Sequence, residues 1–208
     1  TTLFRSLYAM FREAGIDAHI VLTRTRQNGN INDLPASLSV FDHAIAYVPA
    51  LDTYIDGTAE YSGVHELPQM DQGVTVLHVW PEGASLRRTP VHPAAQNEHR
   101  RTLNVRLNAD ASAQISVEES VQGVEAAGYR ARYRAEGTRQ ERVERQLRDL
   151  FPGLELATQS FEDLTDVERP VRFSYTGQAP QFALRDGNHL RLMPSTIGSL
   201  SRSLARTQ

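Results

Sequence analysis

The chain has 208 residues, of which 40% are hydrophobic and 23% charged, and its formal net charge is -3. This composition is typical of a folded protein of one or two domains and disfavours a disordered chain. The near balance of 22 basic and 25 acidic residues gives no cationic footprint for nucleic acid, and no apolar run is long enough to span a membrane as a helix. Because cysteine is absent, these residues contain no disulfide, no thiolate metal ligand and no cysteine nucleophile.

The first predicted elements are a helix and a strand. Apolar residues recur at helical spacing over residues 2–14 and Gly15 follows them, which predicts a helix with one well-buried face. The β-branched run over residues 18–23 predicts a strand. The same criteria then predict a loop, the two strands of a β-hairpin and a further strand, at residues 27–39, 42–48, 53–58 and 74–80.

Residues 81–100 are rich in proline and in small or polar residues, which predicts a connector between two domains, 1–80 and 101–208. The second domain is predicted to be β-rich with a pair of helices, so the predicted fold class is α+β. Thr138 and Glu141 have the spacing of a capping box that opens the second helix of this pair. The predicted strands and helices of this domain cover residues 102–107, 113–122, 124–136, 138–151, 154–158, 171–175, 182–184 and 190–192.

The hairpin carries the most specific chemical signal in the sequence. His43 lies on its first strand and Asp56 on its second, and their positions place both side chains on one face in either of two registers. In one register the two residues are directly opposed, and in the other His43 is opposite Thr58 and diagonal to Asp56. A carboxylate there can accept the imidazole Nδ1–H and leave Nε2 free as a base. A purely structural His–Asp pair is the competing interpretation.

Several short motifs around this hairpin resemble the transglutaminase-like (papain-like thiol amidase) family, of the bacterial type flanked by the DUF3857 and DUF3858 families. Residues 13–18, Glu-Ala-Gly-Ile-Asp-Ala, are similar to the family's RAAGIEA pattern, and residues 41–45, Phe-Asp-His-Ala-Ile, are similar to its FNHVI. Residues 54–61 resemble its WLDPTAEY, with Gly57 in place of the usual proline. The motifs occur in order within about the first 68 residues. They identify residues 1–80 as the C-terminal half of such a domain.

The resemblance implies a thiol-dependent peptidase, amidase or acyltransferase that acts on protein or peptide amides without a cofactor or metal. His43 would be the general base and acid and Asp56 the carboxylate that orients it, while Tyr54 and Phe41 would shape the pocket wall. The nucleophilic cysteine of the family precedes the first helix, so the chain is expected to be a fragment, inactive alone, whose missing upstream half supplies the cysteine. By the same resemblance, a bacterial envelope or periplasmic location is expected.

A second hypothesis stays open. The transglutaminase-like part could be an inactive scaffold, with residues 101–208 as a protein-interaction module. The missing cysteine favours this hypothesis and the intact His–Asp hairpin disfavours it. A metal site formed by His43, His65 and Glu66 is less favoured than a polar loop.

The other histidines and the arginines give weaker signals. His92 and His99 are expected to be exposed in the connector. His78 alternates with Leu77 and Val79 and is therefore expected on the solvent side of its strand. Five of the seven arginines of residues 129–149 are expected to lie on a solvated helix face: Arg130, Arg134, Arg139, Arg142 and Arg145.

Overall fold

The structure is a computed structural model, and it describes residues 2–32, 34–151 and 153–192, without the side chains of Thr2, Leu3, Phe4 and Asp149. These residues form a mixed α+β fold with antiparallel sheets, which confirms the predicted class at this level. No helix in this part of the chain combines the length and the apolar character needed to cross a membrane. The helices are α1 (Thr2–Glu13), α2 (Val124–Tyr133) and α3 (Glu136–Leu150). The strands are β1 (His19–Thr23), β2 (His43–Val48), β3 (Thr53–Ile55), β4 (Thr75–Trp80), β5 (Gly83–Arg88), β6 (His99–Leu107), β7 (Ala113–Val121), β8 (Glu155–Phe161), β9 (Val171–Ala179), β10 (Ala183–Asp186) and β11 (His189–Leu192).

The chain divides into two compact units. The first contains the residues up to Glu98 together with Val121–Ala131 and Thr165–Pro170. The second contains His99–Ser120, Arg132–Leu164 and the residues from Val171 onward. The sequence predicts domains of 1–80 and 101–208; the first unit runs to Glu98 and also includes the two later segments.

An antiparallel sheet of order β3-β2-β1-β4-β5 is the framework of the first unit. Its buried face carries a core of alternating strand residues, because side chains two apart on a strand point the same way, and Leu67 of the loop before β4 packs with them. The members of this core are Val21, Ile45, Tyr47, Tyr54, Leu67 and Val76. Strand β5 falls in the predicted connector, but its six residues pair with β4 throughout. Strand β5 is not predicted from the sequence, because an exposed edge strand lacks the apolar alternation that would reveal it.

Helix α1 lies against β2. It has the predicted extent, but its expected burial is incomplete, because Leu7 and Phe11 are only half-buried and Met10 is 60% exposed. The side chains of Leu3 and Phe4, which belong to the same predicted face, lie outside the described residues.

The second unit is built on an antiparallel sheet of order β6-β7-β9-β8. One face of β7 is buried at every second residue and packs apolar side chains together with the carboxylate of Glu119. Helix α3 begins at Glu136, two residues before the predicted capping box, and Thr138 does not cap it. The Thr138 hydroxyl instead donates to the carbonyl of Ala135, so the capping-box prediction was wrong.

Candidate functional site

The structure brings His43 and Asp56 together at one end of the buried face of the first sheet. Ala46 pairs with Ile55 across the hairpin, and continuing this register past the end of β3 sets His43 opposite Thr58 and diagonal to Asp56. This is the second of the two predicted registers. A turn of 3-10 helix, Pro49–Leu51, produces it, with the next residue in the left-handed conformation.

Asp56 is held firmly in place. The amide and the hydroxyl of Thr58 each donate to Asp56 Oδ1 over 2.8 Å, and the Asp56 side chain is fully buried. Burial acts to raise the pKa of Asp56, but the interactions with His43 and Thr58 outweigh it and lower that pKa. The carboxylate of Asp56 is therefore ionised and held in one orientation.

His43 faces this carboxylate through Nε2, which lies 3.1 Å from Asp56 Oδ2. The contact is close but not aligned as a hydrogen bond, and Nε2 has no hydrogen-bond partner among the described residues. The proximity of Asp56 is the largest influence on the imidazole and raises the pKa of His43, against the opposing effect of burial. Nδ1 is the nitrogen expected from the sequence to face the carboxylate, whereas in the structure Nε2 faces it.

Asp71 completes the cluster and was missed by the sequence analysis. It ends the short 3-10 turn Gln69–Asp71 and is fully buried, and neither of its carboxyl oxygens has a hydrogen-bond partner in the described part of the chain. Burial, followed by repulsion from Asp56, raises the pKa of Asp71 to about 7. No local signal could have found it, because Asp71 lies in an irregular segment and reaches the site only through the tertiary fold.

His43, Asp56 and Asp71 are also the cluster in the described chain that could hold a metal ion, since one ligand atom from each lies within 4.8 Å of the others. The set considered from sequence, His43 with His65 and Glu66, is not brought together. Glu66 instead pairs with Arg130, whose Nη1 lies 2.9 Å from Glu66 Oε2.

Arg130 is one of several residues whose environment differs from the prediction. It was expected on a solvated helix face, but it is 1% exposed and also donates to the carbonyls of Tyr61 and Arg169. His92 is half-buried beside Gln72, whose side-chain oxygen accepts the His92 amide.

The side chains of His99 and Tyr54 contact residues outside the cluster of His43, Asp56 and Asp71. His99 is exposed, as predicted, but it is the first residue of β6 and its Nε2 lies 2.7 Å from Glu119 Oε2. Tyr54 pairs with Tyr47, four positions further along β2 than His43, and its hydroxyl contacts His78. Phe41 is half-buried.

The prediction for His78 was wrong. The residue is fully buried, and its Nε2 is 2.8 Å from the hydroxyl of Tyr54. The alternation of β4 correctly places His78 on the opposite face of the strand from Leu77 and Val79. The buried face, however, is the one that carries Val76 and His78. Burial lowers the pKa of His78 to about 4, so the ring is neutral at physiological pH.

Comparisons of the chain with protein-family models, with curated proteins and with solved structures find no match. The fold and the site define a mixed α+β protein in which a half-buried His43 lies beside the buried Asp56 and the buried carboxyl group of Asp71. Function has to be argued from this chemistry.

Proposed function

We propose that the first unit is part of a transglutaminase-like thiol enzyme that hydrolyses or transfers the acyl group of protein or peptide amides. His43 is its general base and acid, and Asp56 is the positioning carboxylate. The observation that carries the proposal is the 3.1 Å contact between His43 Nε2 and a buried, anchored Asp56 on the neighbouring strand.

The arrangement suits His43 to take up a proton at one ring nitrogen and then to release it from the same nitrogen. Because Asp56 faces Nε2, it stabilises the imidazolium form and leaves Nδ1 to take a proton from a thiol. The same nitrogen then returns the proton to the leaving amine, and the thioester that forms is resolved by water or by a second amine. General acid–base transfer of this kind contributes roughly 10²- to 10⁴-fold to a rate.

Helix α1 provides the place from which a thiolate would act. It lies against β2, and Leu7 closely overlies Gly57, where an added methyl group would be 2.9 Å from Leu7 Cδ2. In the family that the motifs resemble, the cysteine precedes this helix, and the positive end of the helix dipole lowers the pKa of a thiol there. Because the 208 residues contain no cysteine, the proposal requires one encoded upstream of Thr1.

The test is to read the coding sequence upstream of Thr1 and to express the complete reading frame. An upstream cysteine that reacts with iodoacetamide, together with hydroxamate formation from a peptide amide and hydroxylamine, is the expected result. His43→Ala should reduce turnover by about 10³-fold or more, since the members of a triad act as a unit. His65→Ala, on an exposed loop residue, is the matched control and should leave turnover unchanged. Unchanged turnover in His43→Ala would refute the assignment.

The competing proposal is an inactive scaffold whose β-rich second unit binds another protein. The lack of cysteine in the 208 residues favours it. The exposed face of the second sheet also has a groove lined by charges of both signs, including Arg100, Glu118, Glu162 and Arg172. Serine, alanine or glycine at the upstream nucleophile position would support the inactive scaffold over the thiol enzyme.

A further inference from the structure

Three segments that are distant in sequence place metal-ligating atoms in one buried space. His43 is the first residue of β2, Asp56 directly follows β3, and Asp71 stands before β4. One atom from each lies within 4.8 Å of the other two. Both aspartates are buried, and 17% of the His43 side chain is exposed.

The polar atoms of this cluster are unusually poorly satisfied by the described protein atoms. Both oxygens of Asp71 and Nε2 of His43 are buried without a hydrogen-bond partner there. The same is true of the hydroxyl of Thr23, which is directly opposite His43 on β1. Buried polar groups in folded proteins are nearly always paired, because an unpaired one loses its hydration without compensation. Three unpaired oxygens lie in this region, beside an imidazole nitrogen whose one close contact is with Asp56. They indicate a bound partner that accepts lone pairs.

The charge of the cluster indicates the sign of that partner. Asp56 and Asp42 both act on Asp71 electrostatically, and the imidazole of His43 is the basic group that opposes them. Asp42 is held separately by Thr25 and Asn28. Two carboxylates and a neutral imidazole carry two negative charges, which one divalent cation neutralises.

We propose that His43, Asp56 and Asp71 bind a divalent first-row transition cation of the Zn²⁺ class. One imidazole nitrogen and two carboxylates suit such an ion, whereas Ca²⁺ and Mg²⁺ prefer oxygen ligands alone. Ligand atoms about 2.1 Å from an ion and 3.1 Å apart, as Nε2 and Asp56 Oδ2 are, subtend about 95° at it. This angle lies between those of octahedral and tetrahedral coordination, and three protein ligands leave a further position open.

The site does not depend on the thiol chemistry proposed above, but it would control it. A cation on Nε2 leaves the ring hydrogen on Nδ1, where the imidazole can no longer accept a proton from a thiol. The metal-bound form and the proton-transferring form of His43 therefore exclude each other.

The experiment is a titration of Zn²⁺, and separately of Co²⁺, into the 208-residue chain after removal of metal with a chelator. Calorimetry should show one ion bound per chain. The Co²⁺ complex should develop visible absorption bands typical of a Co²⁺ ion that has an imidazole nitrogen among its ligands. Asp71→Asn should weaken binding by about 100-fold or more, since even loss of a group that only supports a ligand costs 10–100-fold. Zn²⁺ should raise the melting temperature of the wild-type chain and not that of Asp71→Asn.

The matched control is Asp17→Asn. Asp17 forms a second His–Asp pair, 3.3 Å from His19 Nε2, but it is on the surface, with 76% of its side chain exposed. Its replacement should leave the affinity unchanged.

If Asp71→Asn fails to fold, His43→Gln takes its place, and the shift of the His43 Nε2 resonance on adding Zn²⁺ to the wild-type chain reports the site directly. Binding that survives Asp71→Asn, or no binding of either ion, would overturn the proposal. The alternative explanation of the cluster would then be a proton shared by Asp56 and Asp71. Since binding is the readout, this outcome says nothing about amide turnover.

Discussion

The buried histidine of β4 makes the first unit sensitive to acid. His78 is 0% exposed, and its environment lowers its pKa from about 6.5 to about 4, chiefly through burial. As the pH falls through 6.5, the unfolded chain binds a proton that the folded ring does not. The free energy of unfolding therefore falls with pH across this window, and the contribution of His78 is fully present only above about pH 6.5.

The magnitude follows from the two pKa values. Linkage gives a loss of about 2 kcal/mol at pH 5 and about 3 kcal/mol at pH 4, relative to neutral pH. A typical domain has only about 5–15 kcal/mol of stability, so the effect is measurable. Replacing His78 with glutamine removes the titrating group and should remove this part of the pH dependence.

The assay is urea unfolding of both chains between pH 7.5 and pH 4.5, followed by tryptophan fluorescence. Trp80 is the single tryptophan of the sequence, and its ring centroid lies 5.1 Å from that of His78, so it reports on the first unit. Subtracting the His78→Gln curve from the wild-type curve cancels the other groups that titrate in this range. His65→Gln, on an exposed residue, should retain the wild-type slope. An unchanged slope in His78→Gln would refute the reasoning.

Three further predictions concern packing and buried charge. Gly57→Ala should destabilise the first unit by about 1 kcal/mol, because the new methyl group would lie 2.9 Å from Leu7 Cδ2 and the leucine must shift; thermal melting measures this. Arg130→Met should cost about 3–5 kcal/mol in urea unfolding, because it leaves Glu66 and two carbonyls without their buried partner. Glu119→Gln should destabilise the second unit at neutral pH by about 2 kcal/mol. Burial acts to raise the pKa of Glu119, but the groups bonded to it lower that pKa, so this difference should disappear as the pH falls through the folded-state value; hydrogen exchange of β7 amides measures it.

Each of these predictions has a control. Combining Gly57→Ala with Leu7→Ala should cost less than the sum of the two single changes, and simple additivity would contradict the steric explanation. Arg130→Met should lose the part of its cost that the Glu66 charge causes in a Glu66→Gln background, whereas the cost of the two unpaired carbonyls should remain. For the second unit, Glu118→Gln is the neighbour on the exposed face of β7 and should change the pH dependence little. A similar change in both glutamate variants would contradict the role given to burial.

Local sequence signals determined most of the secondary structure and part of the site. The apolar repeat of α1 and the alternation of β2 predicted those elements, because local hydrophobic periodicity reflects the face that an element buries. The His43–Asp56 pair followed from the same alternation, since residues on one face of a hairpin meet in either register. What the alternation left open was the register, and the conformation of the turn decided it.

Only the tertiary structure decided which faces are covered and which distant residues converge. The pattern of β4 separated His78 from Leu77, but it could not tell which of the two faces the rest of the first unit covers. Strand β5 gave no signal, because an exposed edge strand is defined by its pairing with β4. Asp71 belongs to the long loop before β4, which places it beside His43 and Asp56. The residues next to it in the sequence give no pattern that predicts this position. Periodicity is a local property, whereas burial and the convergence of charges depend on contacts between segments far apart in sequence.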